Sequence, residues 1–262
     1  MNLTQLVIAD PLFYALAVPG VIALGLSKGG FAGVGQVATP LLAVTMPPLE
    51  AAAIMLPIMI AQDLNAMWVY RKGWNARVLA VMLPGAVAGV GIAWFVAALV
   101  SDDAVRVFIA VITIAFCLYN WMGPARIVDA AATPHRLPAA AGVFWASLSG
   151  FTSTICQAGG PPYHIQAMRL GMPKVMYVST AALFFGAMNV MKVIPYFALG
   201  QFTAPGLATS AALLPLAMAA NAFGFWVVRR TPDRVFFQVT LALLFLISLA
   251  LLWQGGRGLL GI

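Results

Sequence analysis

The sequence contains very little charge: Asp, Glu, Lys and Arg make up 8% of its 262 residues, whereas 63% are hydrophobic. In an average soluble domain about a quarter of the residues are charged, so this composition excludes a water-soluble globular protein. The lipid bilayer must form part of the solvent. The polar stretches between the apolar runs are short, which leaves no room for an attached soluble domain.

Basic residues are missing from the N-terminal stretch MNLTQLVIAD. A secretory signal peptide begins with a positively charged region, so we expect the first apolar run to be retained. Histidine and cysteine are also scarce, with two of each. Cys117 and Cys156 lie within apolar segments, where free, packed thiols are the simplest expectation. We therefore expect neither a metal site nor a cofactor.

Eight apolar runs are long enough to cross a hydrocarbon core of about 30 Å as helices, which takes roughly 20 residues each. They are Leu6–Leu26, Glu50–Val69, Ala76–Val100, Ala104–Met122, Pro138–Ile155, Val175–Ala198, Ala204–Val228 and Val235–Trp253. Two shorter apolar stretches, Gln36–Met46 and Tyr163–Met172, each follow a glycine-rich break and end at Met-Pro. The sequence thus predicts an all-α polytopic membrane protein with eight long spans and two short helices.

The order of these segments repeats along the chain. Asn65 has a counterpart in Asn189, 124 positions later, and Asp103-Ala-Val resembles Asp233-Arg-Val. We predict a first membrane repeat over residues 1–123, a cytoplasmic linker at 124–137 and a second membrane repeat over 138–262. Each repeat has five helical elements in the order long, short, long, long, long. Interrupted helices at matching positions are typical of secondary transporters.

The placement of Lys and Arg predicts the orientation. The basic stretches Arg71–Arg77 and Arg229–Arg234 both fall on the cytoplasmic side of an inner membrane if each short segment also crosses. Five crossings per repeat is an odd number, so the two repeats would be inverted and both termini would lie outside. The net charge of +7 therefore indicates basic cytoplasmic loops and not nucleic-acid binding.

An ordered set of short motifs resembles the sulfite exporter TauE/SafE family over nearly the whole chain. The motifs are the first glycine-rich break, Pro40-Leu-Leu, Met46-Pro-Pro, Arg71-Lys72-Gly73-Trp74, Ser149-Gly150, Gly159-Gly160-Pro161-Pro162 and Gly200-Gln201. The resemblance implies export or uptake of small anions, mostly sulfite, sulfonates and related oxyanions. Lys28 stands where a further glycine is usual in the family, and Ala53-Ile54-Met55 replaces the family's Gly-Thr-Ser.

The two breaks, SKGGFAGVG and SGFTSTICQAGGPP, supply the candidate binding site. Interrupted backbone at membrane depth is tolerated where it is buried in protein or lines a cavity, and the start of the following helix favours an anion. We expect both breaks to surround the substrate with Ser27, Lys28, Gly29, Gly30, Gln36, Ser149, Thr152, Ser153, Gln157, Gly159 and Gly160. Close helix packing through small residues is an alternative explanation of the same sequence.

Three charged residues, Lys28, Asp63 and Lys192, interrupt apolar segments. Charges at membrane depth are costly and usually functional. One hypothesis has a lysine attract the anion while Asp63 carries a coupling proton. The alternative is a structural ion pair between Asp63 and one of the lysines. Further candidates, which would either line the site or tie helices together, are Asn65, His164 and Asn189.

These observations favour a secondary transporter that moves a small oxyanion by alternating access. The expected partners are the small anionic substrate, the lipid bilayer and a coupling proton, with a homodimer left open and no nucleic acid. One alternative is a membrane assembly or receptor subunit that transports nothing. Another is an intramembrane enzyme that uses Asp63 and His164, although the sequence lacks the paired carboxylates or multiple histidines typical of such sites.

Overall fold

The computed structural model describes residues 7–8, 10–29, 35, 38–42, 45–46, 48–96, 101–122 and 138–261, and within them the regular structure is helical. The helices are α1 (Pro11–Gly29), α2 (Ala38–Leu42), α3 (Pro48–Val69), α4 (Ala76–Val96), α5 (Asp102–Met122), α6 (Ala139–Cys156), α7 (Gly160–Arg169), α8 (Lys174–Ala198), α9 (Ala204–Arg230) and α10 (Asp233–Leu260). The predicted linker at 124–137 lies outside the described residues, as do Gly30 and Gln36.

Seven of the described helices are long and apolar enough to cross a membrane: α1, α3, α4, α5, α8, α9 and α10. The protein is therefore a multi-pass helical membrane protein, as the sequence predicted. The further long helix, α6, coincides with the predicted span Pro138–Ile155, and the total of eight spans stays a prediction. The short helices α2 and α7 have 5 and 10 residues, or about 8 and 15 Å, so neither alone covers a core of about 30 Å.

Proline and glycine set several helix ends. Pro11 and Pro48 occupy the first positions of α1 and α3, where a missing N–H costs no helical hydrogen bond. Gly73, Gly171 and Gly200 adopt φ values of +115°, +61° and +65° in the turns after α3, α7 and α8. Residues with a side chain rarely adopt this conformation, so these glycines allow the tight turns between helices.

One end of the helix bundle, which we call the basic face, collects the exposed side chains of Arg71, Lys72, Arg77, Arg229, Arg230 and Arg234. The loop after α3 meets α8 there, because the Asn75 N–H donates to Thr180 Oγ1 over 3.0 Å. Lys174, the first residue of α8, donates to the Thr231 carbonyl over 2.5 Å and lies 3.2 Å from the Asp233 carboxylate. Helices α3 and α9 therefore end at the basic face, whereas α8 and α10 begin there.

Contact between Tyr70 and α9 also indicates that α3 and α9 end at the same face of the bundle. The Tyr70 ring packs edge-on against Phe225, with 5.3 Å between centroids. Burial raises the pKa of Tyr70 to about 12, and the positive charge of Arg229 opposes this rise. The end of α3 and the end of α9 are thus neighbours.

The opposite face of the bundle holds the starts of α1, α3 and α9 and the end of α8. Ser210 Oγ donates to the Ile54 carbonyl over 2.7 Å, which joins the first parts of α9 and α3. The Ile8 N–H donates to Thr209 Oγ1 over 3.2 Å, just before α1 begins. Tyr196, near the end of α8, packs against the first two turns of α3. Helices α3 and α8 consequently run antiparallel.

Helices of the first half pack mainly on helices of the second half. Helix α4 pairs with α6, α1 with α9 and α5 with α10, while α3 lies between α8 and α9. Glycines bring these backbones together: a Cβ on Gly89 would overlap the Ser147 carbonyl oxygen, and one on Gly25 would lie 2.5 Å from Ala220 Cβ. Close packing through small residues therefore does occur, and it includes Gly150, whose added Cβ would overlap α4.

Candidate functional site

A cavity of about 110 Å³ lies between the two halves, where α1, α2, α3, α6, α7 and α8 converge. Ten of the residues predicted to form the site lie on its wall: Ser27, Lys28, Asp63, Ser153, Gln157, Gly159, Gly160, His164, Asn189 and Lys192. Much of the remaining wall is apolar and includes Leu24, Met59, Phe185 and Met188. The cavity wall therefore combines polar and apolar side chains.

Helices α1 and α6 both extend further into the predicted breaks than the sequence indicated. Helix α1 continues through Gly29, so Ser27 and Lys28 lie in its last turn and not in a break. Helix α6 continues through Cys156, which leaves Gln157–Gly159 between α6 and α7. Thr152 and Thr154 of α6, which suggested a longer break, each bond to the carbonyl one turn earlier, which is compatible with a helix.

Hydroxyl groups satisfy the carbonyls of the second break. Ser149 Oγ donates to the Gly159 carbonyl over 2.6 Å, and Thr152 Oγ1 lies 3.0 Å from the Ala158 carbonyl. These two side chains, predicted as donors to the substrate, thus bond to backbone carbonyls and do not themselves line the cavity. They support the break and leave the direct contacts to other residues.

The start of α7 faces the cavity through Gly159 and Gly160. Pro161 and Pro162 follow and carry no N–H, so this helix start presents fewer donors than an ordinary one. Its partial positive charge remains. Backbone donors alone are therefore a weak anion site here, and side chains must supply most of the attraction.

Lys192 places a buried ammonium group on the cavity wall. The residue is 1% exposed, and its Nζ donates to Ser153 Oγ and Gln157 Oε1, both over 3.0 Å. Gln157, which has a left-handed φ of +56°, donates in turn to Tyr196 Oη over 2.9 Å. The acceptors that the described part of the chain gives Lys192 are neutral, so its positive charge is not compensated by a bonded carboxylate.

Asp63 is bonded through both carboxylate oxygens. Lys28 Nζ lies 2.5 Å from Oδ1, and Asn189 Nδ2 donates to Oδ2 over 2.7 Å. Lys28 Nζ also lies over the Phe185 ring, 5.7 Å from its centroid. The structure thus contains the ion pair that the sequence offered as one alternative, and its lysine is Lys28. With Lys192, the cavity wall carries two ammonium groups and one carboxylate, an excess of one positive charge.

His164 is bonded to Tyr177 between the cavity and the basic face. His164 Nδ1 lies 2.5 Å from Tyr177 Oη, and both side chains are buried and line the cavity. Tyr177 is in the first turn of α8 and packs edge-on against Phe237 at 5.4 Å between centroids. This bond joins α7 to α8 on the side of the cavity nearest the basic face.

Asn65 does not lie on the cavity wall with its predicted partners. It is two residues from Asp63, and two residues turn a helix by about 200°, so the two side chains point in different directions. The sequence analysis missed Tyr177 and Tyr196. They lie near opposite ends of one apolar helix, and no local motif distinguishes them from the tyrosines of an interfacial belt.

Comparison with known proteins gives one family. The sequence profile described as Sulfite exporter TauE/SafE matches residues 17–251. No curated protein and no solved structure matches the chain. The matched range includes every residue on the cavity wall.

Proposed function

Because the chain belongs to the sulfite exporter TauE/SafE family, we propose that it is a secondary transporter that carries a small oxyanion, such as sulfite or an organosulfonate, through this cavity. The observation that carries the proposal is the bonding of Lys192. A buried ammonium group bonded to neutral acceptors attracts an anion strongly, because the surrounding dielectric is low and the charge is not yet neutralised. One anion in the cavity would balance the excess positive charge.

The size and the walls of the cavity agree with a small passenger. Its volume is about 110 Å³, and an apolar cavity of about 150 Å³ holds benzene in another protein. An oxyanion of four to six heavy atoms would contact Lys192 and Ser153 with its oxygens. The apolar wall residues Met59, Phe185 and Met188 would accept the short carbon chain of an organosulfonate.

We further propose that the two halves are inverted repeats in a plasma (inner) membrane. The helix ends at the basic face support this. Helix α3 ends there and its counterpart α8 begins there, and α9 ends there whereas its counterpart α4 begins there, so the members of each pair run in opposite directions. Basic loops are retained in the cytoplasm, so this face would be cytoplasmic and both termini would lie outside. Alternating access would then expose the cavity to each face in turn.

Asp63 is proposed to carry the coupling proton. Protonation of its carboxyl group would release Lys28 from the ion pair and leave two ammonium groups for the anion. The anion and the proton would therefore favour each other's binding and cross together. Asn189 would remain bonded to the protonated side chain and hold it in place.

Flux measurements in liposomes test the transport function. The parent protein should accumulate radiolabelled sulfite or ethanesulfonate when an inward proton gradient is imposed. Lys192→Ala should abolish the uptake, whereas Arg230→Ala, which removes an exposed positive charge on the basic face, should preserve it. A folded parent that neither binds nor transports sulfite, ethanesulfonate or sulfate would instead indicate an assembly or receptor subunit.

A further inference from the structure

The short helix α7 is polar in sequence but enclosed by protein. Its sequence is GPPYHIQAMR, and every residue from Pro161 to Met168 is buried. It begins at the cavity with Gly160 and ends at the exposed Arg169, five residues before Lys174 on the basic face. It therefore connects the cavity to that face through the interior. Burial of so many polar groups in a membrane protein usually has a functional reason.

Two polar atoms on one side of α7 have no hydrogen-bond partner within the described residues: Tyr163 Oη and Gln166 Oε1. The two residues are 0% and 3% exposed, and their spacing of three positions puts them on the same side of the helix. The Gln166 amide nitrogen lies 3.8 Å from the position of a Cβ on Gly142 of α6, whereas the Tyr163 ring stacks on Phe184 of α8 with 4.7 Å between centroids. An unbonded buried polar group costs about 1–3 kcal/mol, so water or a ligand is expected to satisfy these groups in another state.

We propose that Tyr163 and Gln166 line the passage between the cavity and the basic face, and that they bond the oxyanion and its water when this passage opens. That the transported substrate is an oxyanion rests on the proposed function. In the present structure the passage is closed, since the bond between His164 and Tyr177 joins α7 to α8 on the side of the cavity nearest the basic face. Separation of these two side chains would free α7 from α8, so that α7 could move and water could reach its buried polar groups, Tyr163 and Gln166.

A second pair of buried amides provides a comparison. Gln62 Oε1 and Asn221 Oδ1 also have no partner within the described residues. Their amide nitrogens, however, join α3 to α9: Gln62 Nε2 donates to the Ala217 carbonyl over 2.9 Å, and Asn221 Nδ2 donates to the Gln62 carbonyl over 3.0 Å. Neither residue lines the cavity, and these bonds hold both amides between α3 and α9. We therefore expect Gln62 and Asn221 to remain inaccessible to water when the passage opens.

Cysteine labelling tests the passage without relying on transport. Single cysteines replace Gln166, Asn221, Lys72 and Ala204 in a variant that lacks Cys117 and Cys156. Lys72→Cys marks the basic face and Ala204→Cys the opposite face. An impermeant maleimide should label Gln166→Cys only from the side that labels Lys72→Cys, and at least about fivefold faster than Asn221→Cys. Saturating ethanesulfonate should slow the labelling of Gln166→Cys.

Labelling of Gln166→Cys only from the Ala204 side, or from neither side while both markers react, would overturn the passage. If Gln166→Cys is labelled from the basic face, ethanesulfonate does not slow the labelling and the parent transports nothing, the passage would be supported but the proposed anion substrate would be excluded. A second variant covers a folding defect. Tyr163→Phe should lower ethanesulfonate flux at least about fivefold, the worth of one hydrogen bond, without changing affinity. The matched change Tyr14→Phe, in α1, should leave flux unchanged, and equal flux in both variants would remove Tyr163 from the passage.

Discussion

Lys28 and Asp63 form an ion pair between α1 and α3, with 2.5 Å between Nζ and Oδ1. The second oxygen of Asp63 accepts from Asn189 of α8, so three helices are joined at one carboxylate. Two of these helices belong to the first half of the chain and one to the second. The same carboxylate lies on the cavity wall, so the charge in the cavity and the packing of the two halves depend on each other.

Replacement of Lys192 should weaken anion binding. Lys192→Ala removes the ammonium group that the described acceptors leave uncompensated, and a charged hydrogen bond contributes about 1.5–3 kcal/mol, so the Kd for ethanesulfonate should rise by about 10- to 100-fold. Lys192→Arg should recover part of the loss, because the charge returns on a larger, planar group. Isothermal titration in detergent measures each Kd, with Arg230→Ala as the control. An unchanged Kd for Lys192→Ala would place the anion elsewhere.

Removal of the Asp63 charge should destabilise the protein. Asp63→Asn leaves the Lys28 ammonium largely buried without its carboxylate, and loss of one partner of a buried pair costs about 3 kcal/mol. The melting temperature in detergent should therefore fall. The double variant Lys28→Met/Asp63→Asn should recover most of this loss, since both charges are then absent. A double variant no more stable than Asp63→Asn would show that the ion pair is not the cause.

The same variant separates a coupling role from a purely structural one. Asparagine at position 63 resembles a permanently protonated aspartic acid. If Asp63 carries the coupling proton, folded Asp63→Asn should lose uptake driven by a proton gradient but keep exchange of internal for external ethanesulfonate. Both fluxes are measured in the same liposomes at a temperature below the melting transition. Proton-driven uptake equal to that of the parent would exclude the coupling role.

Two neighbouring glycines of α4 should respond differently to alanine. A Cβ on Gly89 would overlap the Ser147 carbonyl oxygen of α6, whereas a Cβ on Gly91 meets no atom within 4 Å. Gly89→Ala should lower the melting temperature markedly because α4 and α6 must separate. Gly91→Ala should be neutral or stabilising by up to about 1 kcal/mol, the difference in helix propensity. Equal melting temperatures would show that the contact between α4 and α6 is looser than described.

Surface labelling in intact cells should establish the orientation. Lys72→Cys lies on the basic face, which we expect to be cytoplasmic, so an impermeant reagent should not reach it. Ala204→Cys, at the start of α9, should be labelled from outside. Permeabilised cells provide the control, since both residues should then react. Labelling of Lys72→Cys alone in intact cells would reverse the proposed orientation.

Much of the fold could be predicted because membrane helices are long and apolar. The end of α3 at Val69 was predicted to the residue because a basic turn follows it. The start of α9 at Ala204 was predicted to the residue because a Gly-Gln turn precedes it. Both breaks were predicted to begin too early, since α1 continues through Gly29 and α6 through Cys156. The hydroxyl groups of Ser149 and Thr152 bond to nearby carbonyls, and composition alone does not distinguish this from a substrate site.

The candidate site was harder to predict than the fold. Lys28, Asp63 and Lys192 were identifiable because charge is rare in apolar segments, and all three lie on the cavity wall. Which lysine pairs with Asp63 depends on how α1, α3 and α8 meet, and that is a property of tertiary packing. For the same reason the link from Lys192 through Gln157 to Tyr196 and the bond between His164 and Tyr177 could not be predicted from the sequence.

The pairing of α1 with α9 has a consequence for synthesis of the protein in the cell. Gly25 of α1 packs on Ala220 of α9, which the ribosome makes much later. At about 5–20 residues per second, the newly inserted α1 would wait roughly 10–40 s for its partner. During that time Lys28 would lie near the insertion machinery, and α9, which later packs on this part of α1, would still be absent. The yield of folded protein is therefore expected to depend on how fast the second half is translated and inserted.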